Sequence, residues 1–272
     1  MYISNRKNRN RKIAFLTFVM VTVLFIAAGI HFVYQSHKYA ATTSVPSQTD
    51  ELLLPNTTAT FEDRLPTAQI KIPNDYVIPP IKNGLAPLLS TIPTKEKVVF
   101  LGIDDGANKK DFELQMMKDN NIKASLFLAN RFIKDNPSFF SDFVTAGSLI
   151  ENHTINHKLL SNLSYEDQKV EICGEADLQL KQFGRKPILF RPPGGSYNQD
   201  TQRAAADCGM KAVVLWIAKA NGGAMQYQVG HTLRAGDIVL MHFRPEFAKD
   251  MQAFIDAENA AGLHTELLEN WL

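Results

Sequence analysis

Two adjacent carboxylates, Asp104 and Asp105, end the apolar run Val98-Val99-Phe100-Leu101-Gly102-Ile103 and are followed by Gly106. A pair of acids at one strand tip can share a hydrolysis only if neighbouring groups separate their roles. His153-Thr154-Ile155-Asn156-His157 places two imidazoles four residues apart. On a helical turn that spacing sets their Cβ atoms about 5–6 Å apart on one side, which suits chelation of a single metal ion. Two histidines and one carboxylate leave positions open for water and substrate, as a hydrolytic metal site requires. Arg191-Pro192-Pro193-Gly194-Gly195 joins rigid prolines to permissive glycines. Its arginine could pair with a surface acid, or hold one of the two aspartates ionised and oriented. His242 follows an apolar run and titrates near neutrality; it is a candidate general acid or an ordinary half-buried histidine.

The elements that must position these groups alternate. Short apolar runs at 98–103, 124–128, 149–150, 187–190, 211–216 and 237–241 read as strands, the third running on into Glu151-Asn152-His153. Helical patterns fall between them, at about 110–120, from an Asn136 cap with Pro137 to Gly147, and from Ser164 to about 182. Two more follow at 199–207 and 246–261, with Glu258 interrupting the apolar stripe of the last so that only its first three turns are expected to be buried. Strand and helix in alternation point to a parallel α/β sheet or barrel. The aspartates, histidines, arginine and His242 all fall just past the C-terminal ends of expected strands, the edge where such folds place their active sites.

The remainder of the chain bears on location. The net charge of +1 conceals an asymmetry, because residues 1–12 hold five basic residues and no acid, leaving about −4 for the rest. A mildly acidic body argues against nucleic acid as a partner, and no protein partner is inferable. Residues 13–34 contain no Asp, Glu, Lys or Arg; as a helix they would span about 33 Å, enough for a bilayer core of about 30 Å. The basic cluster keeps the N-terminus (1–12) in the cytoplasm, so we expect an uncleaved signal anchor in the cell membrane with everything after it outside, or a secreted protein if the signal is cleaved. Residues 35–93 read as an extracytoplasmic linker and pre-domain segment, ahead of a catalytic domain at 94–272. Two cysteines, Cys173 and Cys208, could pair outside the membrane or be buried thiols on separate helices.

The ordered set Ile103-Asp104-Asp105-Gly106, His153-Thr154-x-x-His157, Arg191-Pro192-Pro193-x-Gly195 and Leu240-x-His242 resembles the polysaccharide deacetylase family, the NodB-homology domain of carbohydrate esterase family 4. The resemblance covers residues 95–272 and implies an α/β fold, a distorted (β/α) barrel, here preceded by the transmembrane helix and linker. It implies a divalent cofactor, Zn2+ with Co2+, Ni2+ or Mn2+ as alternatives, held by Asp105, His153 and His157. Asp104 would be the base for a metal-activated water, Arg191 would orient Asp104, and His242 would protonate the departing amine. Gly194, Gly195, Trp216 and Leu240 would lie on the substrate and oxyanion side. The implied reaction removes N-acetyl groups from peptidoglycan or chitin-like polysaccharide; O-acetyl ester hydrolysis, or glycan binding without turnover, are the alternatives. Three departures stand out. Gly102-Ile103 replaces the usual Thr-Phe, a change expected to be confined to packing. An aromatic residue is missing at Gly194. No acid follows Trp216, where the family carries one that tunes the histidine acid.

Overall fold

The computed structural model describes residues 76–272. The basic N-terminus, the expected span at 13–34 and the linker up to residue 75 lie outside the described residues. Among those described, no helix is long and apolar enough to cross a membrane.

Strands β1 (Leu88–Leu89), β2 (Val98–Asp105), β3 (Ser125–Leu128), β4 (Leu149–Asn152) and β5 (Leu189–Phe190) are joined by β6 (Ala212–Val214), β7 (Ala218–Asn221), β8 (Ala224–Tyr227), β9 (Ile238–His242) and β10 (His264–Glu266). They form one curled, half-barrel sheet in the order β1-β6-β5-β4-β3-β2-β9-β7-β8, with β10 also on β2. Every strand pairing is parallel except β7 with β8. Helices α1 (Asp111–Asp119), α2 (Asn130–Ile133), α3 (Ser141–Thr145), α4 (Tyr165–Phe183), α5 (Gln199–Asp207) and α6 (Phe247–Ala261) occupy the connections.

Strand β2 shows how the chemistry reaches one place. Val99, Leu101 and Ile103 pack outward with Met117 of α1 and with Met251 and Phe254 of α6. Val98 and Phe100 pack inward, Phe100 meeting Trp271 edge-on at 5.5 Å. Burial on both faces is why the strand reads as a continuous apolar run. The two-residue period of a strand then sends Gly102 and Asp104 inward. The same alternation sends Leu240 and His242 inward after Ile238, and Arg191 inward after Leu189. Parallel register sets Asp104 beside His242.

Several elements differ from expectation. The run at 211–216 is a strand only over β6, so Trp216 stands beyond the sheet rather than within a strand. The segment after it, free of acids, forms the β7–β8 hairpin, turned by Gly222 and Gly223 at φ 67° and 80°, values a side chain would strain. Pro137 opens a 3-10 turn (Pro137–Phe140) before the short α3, and the Asn136 side chain caps no helix N–H. The tight turn serves an aromatic cluster in which Phe140 and Phe143 meet Phe243 at 5.3 and 5.5 Å. Glu258 does not end the buried face of α6; it is itself buried there, accepting the Thr265 hydroxyl at 2.6 Å. The Ser164 cap behaves as its sequence suggests, accepting from the Asp167 N–H at the start of α4.

Cys173 on α4 and Cys208 at the end of α5 form a disulfide, with Cα atoms 4.9 Å apart and a sequence separation of 35. Closing a loop of that length restricts the unfolded chain by about 3–4 kcal/mol. The double substitution Cys173→Ala/Cys208→Ala should therefore lower the unfolding free energy by about 3 kcal/mol in denaturant titrations. An unchanged midpoint would show that the bridge carries no such load.

Candidate active site

Arg191 is fully buried, and each nitrogen of its guanidinium finds an acceptor. It donates to Asp104 Oδ1 at 2.7 Å, to the Leu215 carbonyl at 3.3 Å and to the Val214 carbonyl at 3.4 Å, with Phe127 stacked 4.2 Å away. Gly102 faces it from β2: a Cβ at that inward position would meet the guanidinium, so with a larger residue there the Arg191 side chain would have to shift, an effect of packing around Asp104. Asp104 is held by this bond with its second oxygen, Oδ2, 3.7 Å from His153 Nε2.

His153 is also buried. Its Nδ1 lies 2.6 Å from the Arg191 carbonyl, an acceptor only, so Nδ1 carries the proton and Nε2 presents a lone pair. The His153–His157 segment is not a helical turn, contrary to the expectation from spacing. Thr154 and His157 take left-handed φ values of 72° and 56°, and the Thr154 hydroxyl accepts the His157 N–H at 3.0 Å. Asp105 is left-handed too, at 77°. Positive φ at a β-branched threonine is costly, and such conformations persist where surrounding structure imposes them. Here the imposing group is Glu171 on α4, whose carboxylate accepts the Asn156 N–H at 2.8 Å and the Asn156 side-chain amide at 2.9 Å. Glu171 was not singled out from sequence. The available signal was polar residues (Gln168, Glu171, Glu175, Gln179) recurring on the buried stripe of α4.

Three groups converge. His157 Nε2 is 3.0 Å and His153 Nε2 is 3.5 Å from Asp105 Oδ1, and ligand atoms of all three lie within 4.8 Å of one another. Two donors on one tetrahedral ion, each bonded at about 2.0–2.2 Å, lie about 3.3–3.6 Å apart. Asp105 Oδ1 is buried yet accepts no hydrogen bond. Burial opposes its ionisation, but the facing imidazoles, when their Nε2 atoms carry protons, outweigh this and lower the carboxyl below the usual range. The donor set and the orphaned oxygen fit a divalent cation; the His153–Asp105 separation falls in the tetrahedral donor–donor range and the His157–Asp105 separation is slightly short of it.

His242 lies across from Asp104 with a buried Nδ1 that meets no hydrogen-bond partner among the described residues, so no acid takes the place of the one missing after Trp216. Burial pushes its pKa down, against the pull of Asp104 and Asp105. Trp216 is half-buried, and its ring edge packs on Gly195, which bounds the site on that side. Gly194 has φ 62°; a Cβ there would sit 3.2 Å from the exposed Leu159 side chain. Leu159 thus supplies apolar surface where the expected aromatic is absent. Leu240 is buried directly below His242 on the inward face.

A parallel half-barrel with a buried acid, a histidine and a cation-competent triad at its strand ends defines a hydrolase-type site. The polysaccharide deacetylase family model matches residues 91–213. An uncharacterised protein of Streptomyces coelicolor is 34% identical over 194 residues, covering 69% of this chain and 78% of that protein. A peptidoglycan-N-acetylglucosamine deacetylase of Bacillus cereus is 30% identical over 162 residues, covering 56% and 75%. Among solved structures, a carbohydrate esterase family 4 pseudoenzyme from Bacillus anthracis superposes with a TM-score of 0.59 at 21% identity, covering 69% of each chain. The chain belongs to the polysaccharide deacetylase family, carbohydrate esterase family 4.

Proposed function

We propose that the protein is a metal-dependent deacetylase removing N-acetyl groups from a cell-surface polysaccharide, peptidoglycan or a chitin-like polymer. The observation that carries this is the separation of the aspartates: Asp104 is fixed by Arg191, and Asp105 is turned toward two imidazoles. A divalent cation on Asp105, His153 and His157 would supply Lewis-acid polarisation of the acetyl carbonyl and of water. Asp104 takes the proton of the attacking water, Arg191 keeping its carboxylate ionised and aimed. The N–H of Gly194 donates to the developing oxyanion, as backbone donors do in acyl transfer. His242 delivers a proton to the departing nitrogen, since an amine leaves poorly without one.

The same fold includes a pseudoenzyme, so fold alone does not imply turnover; here both aspartates, both histidines, Arg191 and His242 are in place. We place the domain outside the membrane, tethered through residues 13–34. The disulfide supports that placement, because such bonds persist in oxidising compartments. The test is acetate release from peptidoglycan, chitin oligomers and acetylated xylan with and without a chelator. Release from the first two that stops on chelation supports the proposal; no release from any, with metal bound, defeats it.

A second reading, hydrolysis of O-acetyl esters, draws on the unpartnered Nδ1 of His242 and its depressed pKa. An alkoxide leaves more readily than an amine and depends less on that acid. His242→Ala would then spare ester hydrolysis while abolishing amide hydrolysis.

A further inference from the structure

Six arginines lie among the described residues, and four have an acid partner: Arg185 with Glu151, Arg191 with Asp104, Arg203 with Asp200 and Arg234 with Asp237. Arg131 and Arg244 make no ion pair among the described residues, and both border the active site. Arg131 follows β3, and its backbone N–H donates to the Ile155 carbonyl at 2.8 Å, inside the loop that carries the two histidines. Its guanidinium lies 5.6 Å over the Phe132 ring, which meets the His157 ring edge-on at 5.2 Å. Arg244 stands two residues past His242 at the end of β9, on the far side of β2 from β3. It is half-buried, and its side chain donates to a neutral group, the Asn221 amide oxygen, at 3.1 Å.

A guanidinium is a fork of donors matched to planar carboxylates and to phosphates; for the half-buried Arg244 the lack of a counter-charge is unfavourable, while the exposed Arg131 presents its fork to solvent at the rim of the site. The other four arginines among the described residues each face an acid; the two that do not stand on either side of the reacting groups. We propose that Arg131 and Arg244 are specificity-determining residues that bind an oxyanion substituent, carboxylate or phosphate, on sugars flanking the acetylated one. The preferred substrate is then an anionic N-acetylated glycan rather than a neutral one. This rests on the deacetylase reading of the site.

The test uses the full metal-loaded chain and oligomers of equal length. These are neutral N-acetylglucosamine oligomers, alternating oligomers carrying the N-acetylmuramic acid carboxylate, the methyl ester of the latter, and 6-phosphorylated N-acetylglucosamine oligomers. We expect kcat/KM to favour an anionic substrate over its neutral counterpart about tenfold or more, with the preference falling as salt shortens the electrostatic range. Arg131→Gln and Arg244→Gln should each reduce that preference about tenfold, chiefly through KM, with Arg131→Lys retaining part of it. A carboxylate preference that vanishes in the methyl ester identifies a sugar acid as the source; a preference for the phosphorylated oligomer identifies a glycan phosphate. Equal kcat/KM for neutral and anionic substrates, or a preference that survives both substitutions, overturns the proposal. If no oligomer is hydrolysed, the catalytic reading fails and calorimetric binding of the same set decides this one. Tighter anionic binding lost in the double variant upholds it, and equal binding overturns it.

Discussion

Asp104→Asn is expected to reduce kcat for acetate release by about a hundred- to ten-thousand-fold, the range associated with losing a general base. Asparagine is close to isosteric and still offers an oxygen to Arg191 Nη1, which now meets Asp104 Oδ1 at 2.7 Å. It cannot accept a proton. KM and metal content should therefore stay near wild type, because Asp105, His153 and His157 are untouched. A kcat within threefold of wild type would remove Asp104 from the mechanism. Loss of metal together with activity would mean that the two aspartates do not have the separate roles assigned to them.

Arg191→Met is expected to destabilise the domain by about 3–5 kcal/mol, the effect of leaving a buried charge without its partner. Asp104 is 3% exposed, so water cannot replace the guanidinium. The Leu215 and Val214 carbonyls lose a donor at the same time. A second protein keeps the test open if the variant does not fold. In Asp104→Leu/Arg191→Met both charges are gone, and stability should recover by most of the lost amount while activity stays absent. Denaturant unfolding of the three proteins measures this. Equal stability of wild type and Arg191→Met would contradict the account.

Much of this site could be read from the chain because strand periodicity is strict. Once Val98 and Phe100 are inward, Asp104 must be; once Leu189 is inward, Arg191 must be. The strand tips that deliver Asp104, Arg191 and His242 were therefore legible. What lay between the tips was not. The spacing of His153 and His157 suggested a helical turn, but two left-handed residues bring the rings together, and the group enforcing them, Glu171, sits on a helix that pattern alone treats as amphipathic surface. The contact of Gly102 was not legible because its neighbour, the Arg191 guanidinium, lies 89 positions later in the sequence. The β7–β8 hairpin escaped notice because its strands are half-exposed and weakly apolar, with Gly222-Gly223 as their plainest mark. For Glu258, the stripe was right and the burial wrong, since Thr265 provides the partner that a buried carboxylate needs.

Asp105, His153 and His157 are assigned to hold one catalytic cation. The most direct measurement strips the full-length protein of metal and titrates Zn2+ back while following bound metal and acetate release from an N-acetylated glycan oligomer. Activity should be absent after stripping and rise in step with binding to a plateau at one ion per chain, and Asp105→Ala should neither bind that ion tightly nor recover activity. Undiminished acetate release after stripping, or one-to-one tight binding that persists in Asp105→Ala, would contradict that assignment.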